Sequence, residues 1–531
     1  MKKDDSYYIR HALPALAVTV IVFLLPVASV LLKARNIGRT ITDPYTWRLL
    51  GFTVLESGLS ALLSVVIALP FCIFFSRYTF RLRKAMLTIS DAAFALPAIL
   101  AALGFVIYYG NNGILNNILK SLTNGKASLK VLYSFKAIIL AHVYLNFPVA
   151  FSLITTALSN MPDTEEKASR LLGASEVRTF FRITLPKAMG SIISAFTLIF
   201  LFCFPSFLIV MSLGGNPRFF TMEAEIYKRT YTDVDPSSSA SLAVFSFAVM
   251  ALLLLATGYG REDKKAQRAR HKLKPLAGNK KAVAIILCIL IILFMAPPML
   301  SILYRAFFNR DGDFTLKAWS GIINRANSGA GTSLDAIINS IAIATISATV
   351  ATVMATRISM AAVRNRLNFL SLLSSLPMAV GSVSMGLGFA FLAARIPLYN
   401  KAVSFLLVLL AHIVVIMPFA IRTILPGARH IPVRLPLAAK TLGAKPNEIY
   451  RRIEYPMLRS YRRRAFAFAF ALSLGEVNAT LALGEGRITT IPVLIYKLIN
   501  QYNYQGASAL AVVLLTIAIV MFAIGEKEEK Q

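Results

Sequence analysis

The chain has 531 residues, of which 56% are hydrophobic and only 15% charged, with a formal net charge of +31. That much apolar surface excludes an ordinary soluble domain, because runs of about 20 apolar residues, the length that crosses a bilayer core, recur along it. The positive charge alone would suit nucleic acid, but in a membrane protein basic residues gather in the loops of one face, so topology is tested first.

The apolar runs predict about twelve spans, roughly at 12–32, 52–76, 85–108, 137–158, 189–213, 239–258, 282–304, 334–356, 368–393, 402–425, 465–484 and 505–524. The first runs straight into further spans and serves as its own insertion signal. Prolines at 70, 97, 148, 205, 297, 377 and 418 fall inside these runs, which membrane helices tolerate when neighbours satisfy the freed carbonyls. Cys72, Cys203 and Cys288 lie far apart in apolar runs. That spacing suits packing and implies no metal site.

Placing the N-terminus inside makes 77–84, 159–188, 259–281, 357–367 and 426–464 cytoplasmic. About 37 of the 56 Lys and Arg residues then lie inside, which predicts N-in and C-in. The first outer loop, with Lys33, Arg35, Arg39 and Arg48, runs against the trend; "RYTFRLRK" and "REDKKAQRARHKLK" run with it. The excess charge thus orients the chain and touches anionic lipid, and nucleic acid is a poor explanation.

The chain also repeats itself. "LAHVYLNFP" at 140–148 returns as "LAHIVVIMP" at 410–418. Gly173, Ile183 and Pro186 return as Gly443, Ile453 and Pro456, all about 270 residues on. The expected organisation is therefore a first six-span repeat over 1–258, a basic cytoplasmic linker over 259–281 and a second repeat over 282–531. An even number of crossings makes the repeats parallel and places a shared pathway between them.

Between the fourth and fifth spans of each repeat lies a polar insert, 159–188 and 426–464, opened by Pro162 and Pro432. Helix formers lead to a Gly that allows a tight turn, then to a second helical stretch that ends at Ile-x-x-Pro. Ala168, Leu171 and Leu172 in one insert, and Ala438, Ala439 and Leu442 in the other, form a small apolar face. Such a helix could lie on lipid or dock into a partner's groove. Duplication at a fixed register favours docking.

The inserts resemble the "EAA" loops of ABC importer permeases. Lys167-Ala168-Ser169, Gly173, Ile183 and Leu185-Pro186 follow that pattern, as do Leu437-Ala438-Ala439, Gly443, Ile453 and Tyr455-Pro456. Both copies lack its first Glu, although Glu166 stands one position earlier in the first. The resemblance implies an all-α polytopic membrane fold of the type I importer kind. It also implies coupling helices that dock on two copies of an ATP-binding cassette subunit, and a separate periplasmic or extracellular substrate-binding protein. No G-x-x-x-x-G-K-[ST] loop occurs here. ATP and Mg therefore belong to the partner, and the chain itself is expected to be no enzyme and to carry no cofactor. Fused two-half permeases of this length resemble the thiamine and ferric-iron importers. "MSLGGNP" at 211–217 and "EIYKRTYTDVDPSSSASLAV" at 225–244 look closest to thiamine permeases, which puts thiamine or a thiamine phosphate ahead of iron.

Ionisable residues inside spans are costly and mark function by default. Here they are Glu56, Asp91, His142, His412 and Glu476. His142 and His412 occupy equivalent positions six residues before Pro148 and Pro418. They either line the pathway or bond a carbonyl loosened by the proline. Glu476, with Asn478 close by, has no carboxylate counterpart in the first repeat and would ease the desolvation of a cationic substrate. An ion-coupled secondary transporter is the rival from another class, but it leaves the paired inserts without a task.

Overall fold

The computed structural model describes residues 2–93, 96–215, 218–256, 273–323, 332–365, 376–396, 400–483 and 487–526. Among them, ten helices are long and apolar enough to cross a membrane, and Ser382–Ala393 and Ile491–Asn500 are shorter apolar helices. The expected polytopic all-helical fold is therefore present. The only strands among the described residues are Tyr78–Thr79 and Lys274–Pro275, paired in parallel. Most of the expected linker, residues 257–272, lies outside the described residues.

Four expected spans differ from the helices observed, one of them 189–213, which becomes Leu185–Cys203 and Leu208–Leu213. The run at 85–108 is divided into Arg81–Ala93 and Ala98–Tyr109. Pro97 supplies the N-cap of the second piece, since proline disfavours helix in the residue before it. The run at 368–393 keeps Ser382–Ala393 as its helix, and 366–375 lies outside the described residues. The run at 465–484 becomes Arg459–Leu474 and Asn478–Leu483, interrupted at Gly475.

The helices gather into two compact units, which do not follow the order of the chain. One comprises Met1–Trp47, Met222–Leu254 and Ile302–Gln531; the other comprises Arg48–Thr221 and Leu255–Ser301. The N-terminal helix Lys2–Lys33 thus packs on Ser333–Arg364 and Ser382–Ala393, far along the sequence. Its core there includes Phe23, Met385, Phe389, Val408 and Val414. In the other unit, Phe75, Phe147, Phe151, Ile154 and Ile199 form the core, and Cys288 joins it from the helix Lys280–Phe307. All three cysteines are free and buried, as expected of packing residues.

Each unit seats its borrowed helix on a glycine. A β-carbon on Gly388 would lie 2.5 Å from the carbonyl oxygen of Pro26, and one on Gly104 would lie 2.6 Å from that of Pro298. Only hydrogen fits such a gap. The Ser29 hydroxyl donates to the Gly388 carbonyl at 2.6 Å, and the Ser301 hydroxyl donates to the Gly104 carbonyl at 3.4 Å. The same close approach, with the same Pro, Ser and Gly partners, is built twice.

Candidate functional site

The first insert forms the helix Thr164–Leu171, a turn at Gly173 and the short helix Glu176–Thr179; the second forms Arg434–Thr441, a turn at Gly443 and Pro446–Ile449. Gly173 has φ +83° and Gly443 φ +84°, the left-handed conformation that glycine adopts without penalty. The Gly173 N–H donates to the Arg170 carbonyl at 3.0 Å and the Ala174 N–H to the Ser169 carbonyl at 3.1 Å. Gly443 and Ala444 donate to Lys440 and Ala439 in the same way, each at 3.0 Å. Both helices therefore end in one and the same Schellman cap.

The second helical stretch does not end at the proline as expected. In each insert it passes through a wide π-turn, Phe180–Thr184 or Tyr450–Glu454, and continues into the next helix, where Pro186 or Pro456 occupies the first turn. Proline has no N–H to give. The preceding residue instead bonds one position further back, Leu185 to Phe180 and Tyr455 to Tyr450. Ile183 and Ile453 are half-buried at these turns, whereas Lys167, Ala168, Gly173, Pro186, Ala438, Gly443 and Pro456 are exposed and Ala439 is half-buried. Leu171 and Leu172 are each 89% exposed and Leu442 is 88% exposed. Leucines this open at the tip of both inserts form an uncovered apolar face.

Carboxylates hold the inserts from within. Glu166 pairs with Arg77, the last residue of the helix Pro44–Arg77, at 3.5 Å, and also accepts from the Thr184 hydroxyl. Glu454 is fully buried; it pairs with Arg364, the last residue of Ser333–Arg364, and accepts from the Tyr8 hydroxyl at 2.6 Å. Glu454 stands in the register of Thr184, so the carboxylate reaches equivalent turns from different elements. Glu166 is thus turned inward, while Lys167, in the place of the missing Glu, pairs with Asp163 at 2.7 Å.

The fifth span of each repeat is a broken helix. Leu185–Cys203 stops before Pro205 and resumes at Leu208–Leu213; Arg459–Leu474 stops at Gly475 and resumes at Asn478–Leu483. His142 and His412 are fastened to these breaks. His142 Nε2 lies 2.8 Å from Ser206 Oγ, and its Nδ1 meets the Glu56 carboxylate, which also accepts from Ser60 at 3.0 Å. His412 bonds Ser473 before the break and Thr480 after it, both at 2.8 Å. Both rings are buried, and every ring nitrogen is partnered by a side chain, not by the carbonyl expected from the nearby proline.

Glu476 lies in the second break and Asn478 opens the resumed helix, both half-buried. Glu476 caps the resumed helix by accepting from the Ala479 N–H at 3.0 Å. Glu223 accepts from the N–H and hydroxyl of Ser384 at 3.1 and 2.6 Å. The Glu223 carboxylate therefore caps the first turn of Ser382–Ala393, where the helix dipole is positive. Asn478 Oδ1 is buried without a hydrogen-bond partner among the described residues. Broken helices with polar groups at the break are where membrane transporters bind solutes. Asp91 lies among residues whose side chains are outside the described set, and no group of three metal-ligating side chains occurs among the described residues. Sequence reasoning missed Glu223, Arg77, Arg364 and Glu454. The two arginines ending apolar runs were the available signal.

A family model described as binding-protein-dependent transport system inner membrane component matches residues 62–261 and 363–526, one segment on each side of the basic stretch. The thiamine transport system permease protein of Brucella abortus (strain 2308) is 28% identical over 493 residues, covering 91% of this chain and 88% of the relative. That of Escherichia coli (strain K12) is 27% identical over 512 residues, covering 91% and 89%. A putative 2-aminoethylphosphonate transport system permease protein of Salmonella typhimurium is 32% identical over 163 residues, 31% of this chain and 61% of the relative. With the model matching well over half its length, this multi-pass chain belongs to the family of binding-protein-dependent transport system inner membrane components, the permeases of ABC importers.

Proposed function

We propose that this chain is the permease of an ATP-driven importer of thiamine or a thiamine phosphate. The observation that carries the substrate reading is its similarity, along 91% of its length, to permeases of thiamine transport systems. Two copies of an ATP-binding cassette subunit supply ATP and Mg, and a separate binding protein delivers the substrate. The N- and C-termini and both inserts face the cytoplasm. Residues 1–258 and 282–531 act as two parallel six-span repeats, joined by the basic stretch.

The inserts are the coupling elements. Leu171, Leu172 and Leu442 present apolar side chains to a partner's groove, and the Gly173 and Gly443 caps hold them at a fixed angle. A push on the insert reaches the spans through Glu166–Arg77 and Glu454–Arg364, because each arginine ends a membrane helix. The π-turns join each insert directly to the broken fifth span. His142 and His412 keep the two pieces of that span in register while it moves. Glu476 and Asn478 line the pathway at the second break, where a carboxylate lowers the cost of desolvating a thiazolium cation.

Isothermal titration of the binding protein that associates with this chain tests the substrate. Thiamine or its monophosphate binds tightly and ferric iron does not; tight iron binding with no response to thiamine overturns the assignment.

A further inference from the structure

The helix Lys2–Lys33 reaches past its seat on Gly388 to the second insert, and the transport reading gives that reach no task. Tyr7 and Tyr8 lie in its second turn, in the same compact unit as the insert. The Tyr7 hydroxyl donates to Asn447 Oδ1 at 3.1 Å, and the Tyr8 hydroxyl donates to Glu454 Oε2 at 2.6 Å. Between these anchors both rings face Tyr450, each with its centroid 6.5 Å away. Two neighbouring residues therefore touch the short helix Pro446–Ile449 and both ends of the π-turn Tyr450–Glu454.

Both rings are themselves held. Tyr8 packs against the cluster of Met360, Ala428, Ile431 and Leu458. Tyr7 stands 4.0 Å from the His11 ring, whose Nδ1 lies 3.0 Å from the Tyr7 carbonyl oxygen. A packed ring presents its hydroxyl at a fixed point, and a hydrogen bond to a carboxylate is stronger than one between neutral groups. The first insert is held by a different device. Phe180 stands there in the register of Tyr450 and faces the Arg77 guanidinium at 6.0 Å. Lys280, as far along from Tyr8 as Pro298 is from Pro26, places its ammonium 4.8 Å from the ring centre of Tyr78, the residue after Arg77.

We propose that Tyr7 and Tyr8 are positioning residues that fix the second insert through their hydroxyls. Tyr8 holds Glu454 at the end of the π-turn, and Tyr7 holds the short helix ahead of it. The second insert is thereby braced by a helix distant in sequence, whereas the first is braced from the end of its own unit's helix Pro44–Arg77. The two inserts are mechanically unequal, although their glycine caps are alike. This rests on the proposed coupling role only for what the braced insert does.

Hydrogen–deuterium exchange of the full chain in lipid nanodiscs tests this, peptide by peptide. In Tyr8→Phe the amides of 434–454 exchange about tenfold faster, the loss expected of one hydrogen bond to a charged group. Those of 164–184 keep the native rate. Tyr7→Phe, which loses an exposed bond to a neutral amide, speeds exchange in 434–454 about threefold and guards against misfolding of the Tyr8 variant. Tyr502→Phe, at a residue 77% exposed, changes neither insert. Phenylalanine keeps the ring and removes only the hydroxyl. Native exchange in both Phe variants, with faster exchange only in Tyr8→Leu, therefore marks simple packing and overturns the proposal. So does an equal rise in both inserts, which marks general destabilisation. Because the chain is measured alone, a wrong substrate or partner assignment leaves this result untouched.

Discussion

Glu454 and Arg364 form an ion pair in which the carboxylate is fully buried and the guanidinium is 14% exposed. Removing one member of such a pair leaves the other uncompensated, at about 3–5 kcal/mol. Glu454→Gln therefore lowers the melting temperature of the purified chain markedly, while the double change Arg364→Met/Glu454→Met recovers much of the loss. The Glu166–Arg77 pair is longer, at 3.5 Å, and both side chains retain some exposure, so Glu166→Gln costs less. A thermal-shift series on the three variants checks the order.

At Gly173 and Gly443 nothing lies within 4 Å of where a β-carbon would sit, so bulk is irrelevant and only the positive φ matters. A β-branched residue held left-handed costs about 1–2 kcal/mol, and asparagine tolerates the conformation far better. Gly173→Val and Gly443→Val weaken retention of the ATP-binding subunits on co-purification, whereas Gly173→Asn and Gly443→Asn retain them. Equal loss with Val and Asn would show that the glycine itself is contacted.

The two histidines occupy equivalent positions but have unequal partners. His142→Leu leaves the buried Glu56 carboxylate with only the Ser57 and Ser60 hydroxyls, at about 3–5 kcal/mol. His412→Leu strands only hydroxyls, at about 1–3 kcal/mol, and Ser473 keeps its bond to Ser347 at 2.8 Å. Chemical denaturation in a mild detergent separates the two variants, with His142→Leu the less stable.

Much of this was legible in one dimension. Span number follows from the length of apolar runs, and the inserts stand out because Gly173 and Gly443, with Pro186 and Pro456, recur at one spacing. What the sequence conceals is partnership at a distance. Nothing in "RRIEYP" says that Glu454 meets Arg364 and Tyr8. The break at Gly475 is hidden because hydropathy continues across it, and Glu476 there reads as an intrusion until its capping bond to Ala479 is seen. The placing of Lys2–Lys33 beside Gly388 depends on a gap only hydrogen fits, a constraint of shape and not of polarity.

That gap gives a further prediction. Gly388→Ala and Gly104→Ala each drive a methyl into the main chain of Pro26 or Pro298, which cannot swing aside. Overpacking of this kind costs about 1–3 kcal/mol. Both variants lower thermal stability, and a matching Ala substitution at Gly51, which faces open space, does not.

The central claim is tested most directly by thiamine uptake into proteoliposomes holding this chain with its ATP-binding subunits, supplied with the binding protein outside and ATP within. The account predicts saturable, ATP-dependent accumulation of thiamine that collapses with Gly173→Val/Gly443→Val and survives with the Asn pair. Uptake that proceeds without ATP, driven by an ion gradient, or that is indifferent to the Val pair, would contradict it.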